Sequence, residues 1–237
     1  MRACVFGATG GIGGALCECL AKSGRFARIY AGGRSAVRLK NEAITTFRFD
    51  LLDEKSIAFA AHKISKEGPL DLVIVATGVL QTEELRPEKS WRALDATDLA
   101  ASLAINTIGP ALIAKHTLPL LRNNSRSVFA ALSARVGSID DNRLGGWHSY
   151  RASKAALNQL IRNFAIELGR KNPEAIAVTL HPGTVDTGLS RPFQRGVPSR
   201  QLVSPRASAA KLLQVIEQLT PTDSGLLLAY DGSRIPF

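Results

Sequence analysis

An apolar run from Arg2 to Phe6 leads at once into Gly7-Ala8-Thr9-Gly10-Gly11-Ile12-Gly13-Gly14, and that into the helical pattern Ala15-Leu16-Cys17-Glu18-Cys19-Leu20-Ala21. The order predicts strand, glycine turn, helix. Glycines bring the backbone close to a pyrophosphate, and the free N–H groups that open the helix meet its negative charge. Tight turns use glycine clusters too, but a cluster placed between a strand and a helix points to nucleotide binding.

The rest of the chain continues the alternation. Arg28 to Ala31 reads as a second strand ending in Gly32-Gly33-Arg34-Ser35, and Thr45 to Phe49 as a third, closed by Asp50-Leu51. Asp53 then caps a helix running to about Lys66, and the connection from Arg34 to Ile44 has room for one helical turn at most. Leu70 to Ala76 is a buried strand ending at Thr77-Gly78, where a cofactor would lie across the strand's carboxyl end, and Gln81 to Trp91 is a polar surface loop. Asp95 to Leu121 carries a long helical pattern interrupted by Asn106-Thr107-Ile108-Gly109-Pro110, where proline implies a kink or a new helix start. Ser127 to Leu132 forms the next strand, with Ser133 at its carboxyl end, and a helix after Tyr150 runs to about Leu168. Ala175 to Leu180 is a strand ending in His181-Pro182-Gly183-Thr184-Val185-Asp186-Thr187, followed over 188–204 by a Pro-, Arg- and Ser-rich stretch expected to be a mobile substrate loop. Arg206 to Leu219 is a helix, Gly225 to Ala229 a last strand, and Tyr230 to Phe237 a tail.

This pattern implies an α/β fold, a Rossmann-type doubly wound parallel sheet of about seven strands with helices on both faces. With 237 residues and 45% hydrophobic content, one core and a single nucleotide-binding domain over 1–237 are expected. Gly7, Arg34, Gly78, Ser133, Tyr150 and Pro182 all fall at or just beyond the carboxyl ends of strands, the edge where such sheets bind ligands.

At that edge Tyr150 and Lys154 share one face of a helix start. A lysine beside a phenol favours the phenolate and lowers a pKa that otherwise sits near ~10, which suits a tyrosine acting as acid and base. Met1-Arg2 runs straight into the first strand with no charged leader, and no apolar run reaches membrane-spanning length, so a soluble cytoplasmic protein is expected. Cys4, Cys17 and Cys19 are odd in number and lack the spacing of a metal site, which leaves them as buried thiols. The formal charge of +10 comes from scattered Lys and Arg rather than a stripe, so it argues for a phosphorylated small molecule and against nucleic acid.

The cofactor's form is written after the second strand. A carboxylate there would accept the ribose hydroxyls of NAD and repel the 2′-phosphate of NADP; this turn has none, and offers Arg34 and Ser35 instead. A guanidinium grips a phosphate through two parallel hydrogen bonds, so NADP(H) is expected over NAD(H).

Taken together, Gly7-x-x-x-Gly11-x-Gly13, Asp50, Gly78, Asn106, a serine ending strand five, Tyr150-x-x-x-Lys154 and Pro182-Gly183 with Thr187 resemble the short-chain dehydrogenases/reductases over nearly the full length. Gly137-Ser138-Ile139 and Gly145-Gly146-Trp147 look more narrowly like the C-factor branch, close to sniffer-type carbonyl reductases. The resemblance implies hydride transfer between NADPH and a carbonyl carbon while Tyr150 protonates the oxygen. It gives Lys154 the nicotinamide ribose, Asn106 a relay water, and Asp50 and Leu51 the adenine. The glycine loop with Thr9, Gly10 and Ile12, the Ala76-Thr77-Gly78 turn and Pro182, Gly183, Val185 and Thr187 complete the implied cofactor contacts. The chain departs from the family where Phe6 replaces a threonine and Val75-Ala76-Thr77-Gly78 replaces Asn-Asn-Ala-Gly, both of which remove hydrogen bonds that brace the turn. The C-factor branch is also associated with signalling, which leaves a nucleotide-binding regulator as the alternative function.

The family's serine pair reads Ser133-Ala134 here. If the strand keeps its register, the catalytic place belongs to Ala134 and Ser133 points away. An irregular strand end would turn Ser133 inward, which is the reading preferred, and Ser138 on the following loop is the other candidate. Apolar faces on the helices from Ala111 and Ala155 suggest a homodimer or homotetramer, and the carbonyl or alcohol substrate depends on 188–204.

Overall fold

After Arg2, every residue of β1 (Arg2–Phe6) is buried, and alternate ones enter opposite cores: Ala3 and Val5 on one face, Cys4 and Phe6 on the other. That two-sided burial is the signature of a central strand with helices on both faces. In the computed structural model, which describes residues 1–195, 198 and 202–237, β1 is followed by α1 (Gly11–Lys22), β2 (Arg28–Gly33), β3 (Ile44–Arg48), α2 (Glu54–Ser65), β4 (Leu72–Val75), α3 (Ala96–Leu103) and α4 (Gly109–Thr117). Then come β5 (Ser127–Leu132), α5 (His148–Lys171), β6 (Ala175–His181), β7 (Thr184–Val185), β8 (Leu202–Val203), α6 (Pro205–Gln218), β9 (Leu227–Ala229) and β10 (Arg234–Ile235).

The main sheet runs β10-β9-β6-β5-β4-β1-β2-β3, parallel except for the β9–β10 pair. Strand order reverses between β1 and β4, the switch point at which doubly wound sheets open a crevice. Helices α1 and α6 cover one face through Leu16, Leu20, Leu212 and Ile216. On the other, α2, α4 and α5 supply Ile57, Ile113, Leu157 and Ile161. This is the expected Rossmann-type fold, with eight strands in the main sheet. The added strand, β10, lies in the segment expected as a tail; two residues carry no alternation to read, and the Asp231–Ser233 turn is what folds them back.

The connection after Arg34, with room for one helical turn at most, holds none. One further expectation changes: the 188–204 stretch contains the short β8, paired with β7, besides a single turn of helix at Arg191–Phe193. Gly196, Val197, Ser199, Arg200 and Gln201 of that stretch lie outside the described residues. The expected kink is a π-helical turn, Ala104–Ile108, joining α3 to α4, with Pro110 in the first turn of α4 where its missing N–H is harmless. The joined rod Ala96–Leu120 is, among the described residues, the one helix long and apolar enough to cross a membrane. The sequence reading divides it at Gly109-Pro110; in the fold its Ser102, Asn106 and Thr107 hydrogen-bond to α5.

Phe6, where the resemblance implies a lost brace, stacks edge-on against Phe47 and Phe49 at 5.4 and 5.0 Å between ring centroids. The glycine turn is held instead by Gly7 and Ala8 N–H groups donating to the Gly32 carbonyl at 2.9 and 2.8 Å. All three thiols are free, and burial raises Cys17 to about 12, which makes it inert.

Candidate active site

At the carboxyl edge of the sheet a cavity of about 620 Å³ opens over the β1–β4 switch point. Its floor is the glycine turn. Gly7 has a φ of 92°, and a Cβ there would come within 2.8 Å of the Ala76 carbonyl oxygen; a Cβ on Gly13 would overlap the Gly7 carbonyl. These two sit beneath the floor and let α1 start close to the sheet. Thr9, Gly10, Gly11 and Ile12 line the cavity itself, and Gly10 caps α1 without any side-chain bond. The helix therefore presents free N–H groups and the positive end of its dipole to the cavity. Ala76, Thr77 and Gly78 line it from β4; the Thr77 hydroxyl is buried without a hydrogen-bond partner among the described residues. Pro182, Gly183, Val185 and Thr187 line it from beyond β6.

The catalytic candidates come from α5. Gly145, Gly146 and Trp147 all take positive φ, so the chain turns sharply before the helix begins at His148. Tyr150 and Lys154 then face the cavity one turn apart, with Lys154 Nζ 5.8 Å from the Tyr150 ring centroid. The ammonium donates to the Leu132 carbonyl at 2.9 Å, which ties α5 to the end of β5. The expected downward shift of the phenol is not what this geometry produces: burial pushes Tyr150 up to about 12 and Lys154 down to about 8. Lys154 is buried and Tyr150 half-buried at the cavity wall, and desolvation outweighs an attraction acting over that separation. At neutral pH Tyr150 is thus a protonated acid, and Lys154 is still mainly charged.

Asn106, expected to hold a water through its side chain or its backbone carbonyl, has its side chain fully engaged, which confines that expectation to the carbonyl. Its Oδ1 accepts from Val79 N (2.9 Å), while Nδ2 donates to Val79 O (2.9 Å) and Ser153 Oγ (3.1 Å). It is a strut between the β4 turn and α5. A Cβ on Gly78 would lie 3.3 Å from Asn106 Oδ1, a tight contact, and 3.5 Å from Lys154 Nζ, so the three converge on one point of the wall.

Ser133 reaches the cavity wall, but its Oγ donates to Asn158 Oδ1 at 2.7 Å, so its proton is turned toward α5 rather than a substrate. The strand end does not free Ser133 for a substrate: the last pair, Leu132–Leu180, closes with Ser133 N donating to the Leu180 carbonyl at 2.8 Å, and Ala134 beyond it is still extended. Both residues line the cavity, but of the two only Ser133 has a hydroxyl, and Asn158 holds it. Ser138 is buried and accepts from Asp141 N at 3.0 Å, outside the cavity lining.

Arg34 and Ser35 are exposed just past β2, outside the cavity, next to the turn carrying Thr9; Arg34 makes no ion pair among the described residues. Asp50 is exposed, its carboxylate accepting from Leu52 N at 2.9 Å. Leu51 packs so closely on Gly109 that a Cβ there would overlap it.

Other wall residues are not among those the sequence predicts for the site. Trp147 stacks edge-on with Phe193 (5.1 Å) and Tyr150 (6.3 Å), and Leu80, Val136 and Leu189 extend the apolar wall. Glu88 is buried in the loop expected to be a polar surface, where it accepts from the backbone N–H and hydroxyl of Ser149. The Gly145-Gly146-Trp147 triplet is the one sequence signal that marked this corner.

Residues 1–197 match the family model described as short chain dehydrogenase. Among curated proteins, the chain is 32% identical to a 1-hydroxy-2-glutathionyl-2-methyl-3-butene dehydrogenase of Rhodococcus sp. (strain AD45), over 78% of this chain and 76% of that one. It is 35% identical to the C-signal protein of Myxococcus xanthus, over 76% of this chain and 99% of that one. Of solved structures, the carbonyl reductase Sniffer of D. melanogaster superposes with a TM-score of 0.87 at 22% identity, covering 100% of this chain and 99% of that one. An NADPH-bound carbonyl reductase from chicken fatty liver gives 0.85 at 24%, covering 100% and 94%.

Proposed function

Because the chain belongs to the short chain dehydrogenase family, we propose that it is an NADP(H)-dependent oxidoreductase interconverting a carbonyl compound and its alcohol, with Tyr150 as acid and base. The observation that carries this reading is that Tyr150 and Lys154 open into the same cavity as the uncapped start of α1. The orphaned Thr77 hydroxyl and the close approach at Gly7 and Gly13 fit a dinucleotide lying over the floor. When bound, NADP(H) supplies the hydride to a carbonyl carbon or takes it from a carbinol carbon.

The chain's own residues do the rest. Thr9, Gly10, Gly11 and Ile12 hold the pyrophosphate at the α1 terminus. Arg34 and Ser35 receive the 2′-phosphate, and Asp50 and Leu51 border the adenine. Ala76, Thr77, Gly78, Pro182, Gly183, Val185 and Thr187 frame the nicotinamide end, and Lys154 holds its ribose. In reduction the Tyr150 hydroxyl gives its proton to the carbonyl oxygen, leaving a phenolate that the Lys154 ammonium stabilises; in oxidation the proton returns. The Trp147–Phe193 wall with Leu80 and Leu189 favours flat, apolar carbonyl compounds. A carbonyl-compound screen following NADPH absorbance tests the reading, and absence of turnover across aldehydes, ketones and quinones would refute it.

The similarity to the C-signal protein favours one alternative, a regulator that binds the nucleotide as a ligand. Tight NADPH binding with no turnover distinguishes it. We further propose one nucleotide-binding unit, 1–237, acting in the cytoplasm as a homodimer or homotetramer without nucleic acid; light scattering and cell fractionation test these points.

A further inference from the structure

Just past β5, Ser133 is bonded to Asn158 and the Ala134 side chain has no polar atom, so this strand end brings no free hydroxyl to a substrate oxygen. The neighbouring strand does bring a polar group. His181 ends β6 directly beside Ser133, since Leu132 pairs with Leu180 and the Ser133 N–H donates to the Leu180 carbonyl at 2.8 Å. His181 lines the same cavity as Tyr150 and Ala134. We propose that His181 donates a hydrogen bond from Nε2–H to the substrate carbonyl oxygen, taking over the orienting task that Ala134 cannot perform. The proposal rests on the reductase reading and adds a residue to it.

The tautomer follows from the ring's surroundings. Nδ1 is buried and has no hydrogen-bond partner among the described residues. An orphaned buried N–H is rarer than an under-satisfied acceptor, so the proton belongs on Nε2 and the bare lone pair on Nδ1. Burial pushes the ring down to about 4; the Arg135 cation adds to that and the Asp231 carboxylate opposes it. The imidazole therefore stays neutral through the physiological range, and a neutral ring is a donor that never competes with Tyr150 as proton source. Oriented donors at a developing oxyanion are the elements whose loss slows catalysis without abolishing it.

Two measurements test this. Nitrogen-15 NMR of histidine-labelled protein, with His181→Gln assigning the ring against His62, His116 and His148, is expected to show a neutral Nε2–H tautomer from about pH 5 upward. A Nδ1–H tautomer, or a ring protonated at neutral pH, overturns the proposal whether or not a substrate is known. In turnover at saturating NADPH, His181→Ala is expected to lower kcat by about a hundredfold. His181→Gln, whose amide nitrogen stands near the Nε2 position, is expected to keep most of the activity. Ala134→Ser in the His181→Ala background is expected to restore turnover, which a merely structural histidine would not permit. Wild-type turnover in His181→Ala overturns this proposal alone; a wild type that reduces no carbonyl overturns the reductase reading and this proposal with it.

Discussion

Glu88 and Ser149, 61 residues apart in the chain, are joined by three hydrogen bonds: both carboxylate oxygens accept from Ser149 N at 3.2 Å, and one accepts from its hydroxyl. Ser149 precedes Tyr150 in the first turn of α5, so a loop carboxylate does the work that a local cap does elsewhere and faces the positive end of the helix dipole. The Glu88 carbonyl also accepts from Trp147 N at 2.5 Å. One residue thus positions the cavity wall and the helix carrying the acid.

Glu88→Gln keeps shape and removes charge, while Glu88→Ala leaves the buried Ser149 groups unpaired. The alanine variant is expected to lose about 1–3 kcal/mol of stability, and the glutamine variant less. Urea unfolding and turnover on the same samples check this; an alanine variant as stable and active as wild type would remove Glu88 from the positioning of Tyr150.

Tyr150→Phe deletes one proton and little surface. Turnover is expected to fall by at least about a hundred- to ten-thousandfold while NADPH affinity holds, since a positioned acid contributes on that scale. Fluorescence titration of NADPH separates the two effects, and retained turnover would displace Tyr150 as the proton source.

Arg34→Ala is expected to weaken NADPH by about 1.5–3 kcal/mol, the worth of hydrogen bonds to a charged group, and to leave NADH unchanged. Reversal by Gly33→Asp, which the sequence alone recommends, is a poorer test. A Cβ on Gly33 would come within 2.6 Å of Thr9 Cγ2, so that variant disturbs the cofactor floor as well as the charge. Arg34→Glu reverses the charge without that collision, and equal wild-type affinities for the two cofactors would refute the preference.

Reduction needs Tyr150 protonated and Lys154 charged. Tyr150, near 12, keeps its proton over the working range, whereas Lys154, near 8, loses its charge as pH rises through that value. The kcat/KM for reduction is therefore expected to fall above about pH 8, and Lys154→Arg to keep its charge well beyond it. Stability moves the other way: between about 8 and the ordinary 10.5 of lysine the unfolded chain binds a proton that the folded chain does not. The contribution of Lys154 to stability hence rises with pH across that window, while the buried thiols Cys4 and Cys17, raised above the ordinary 9.0, oppose it at the upper end. Identical pH slopes of unfolding stability in wild type and Lys154→Met would contradict the shift.

Much of the fold is legible without coordinates because its signals are local. The spans of β1 and β5 match their apolar runs, Asp53 caps α2, accepting from Lys55 N at 3.0 Å, and the glycine turn sits where its spacing predicts. Two-residue β10 escapes such a reading, since it has no period to detect, and the interruption at Asn106 is legible as a kink but not as a π-turn.

By itself the sequence determined the alternation of strands and helices, the family, and the presence of Tyr150, Lys154 and the glycine floor at one edge. Those depend on side-chain period and on turn chemistry, which act over a few residues. Only the tertiary structure decided what each polar group is bonded to: Ser133 to Asn158 and Asn106 to Val79, with His181 lacking a partner on Nδ1 among the described residues. Those pairings join residues brought together by packing, and burial there, acting through desolvation, sets the protonation of Tyr150 and Lys154.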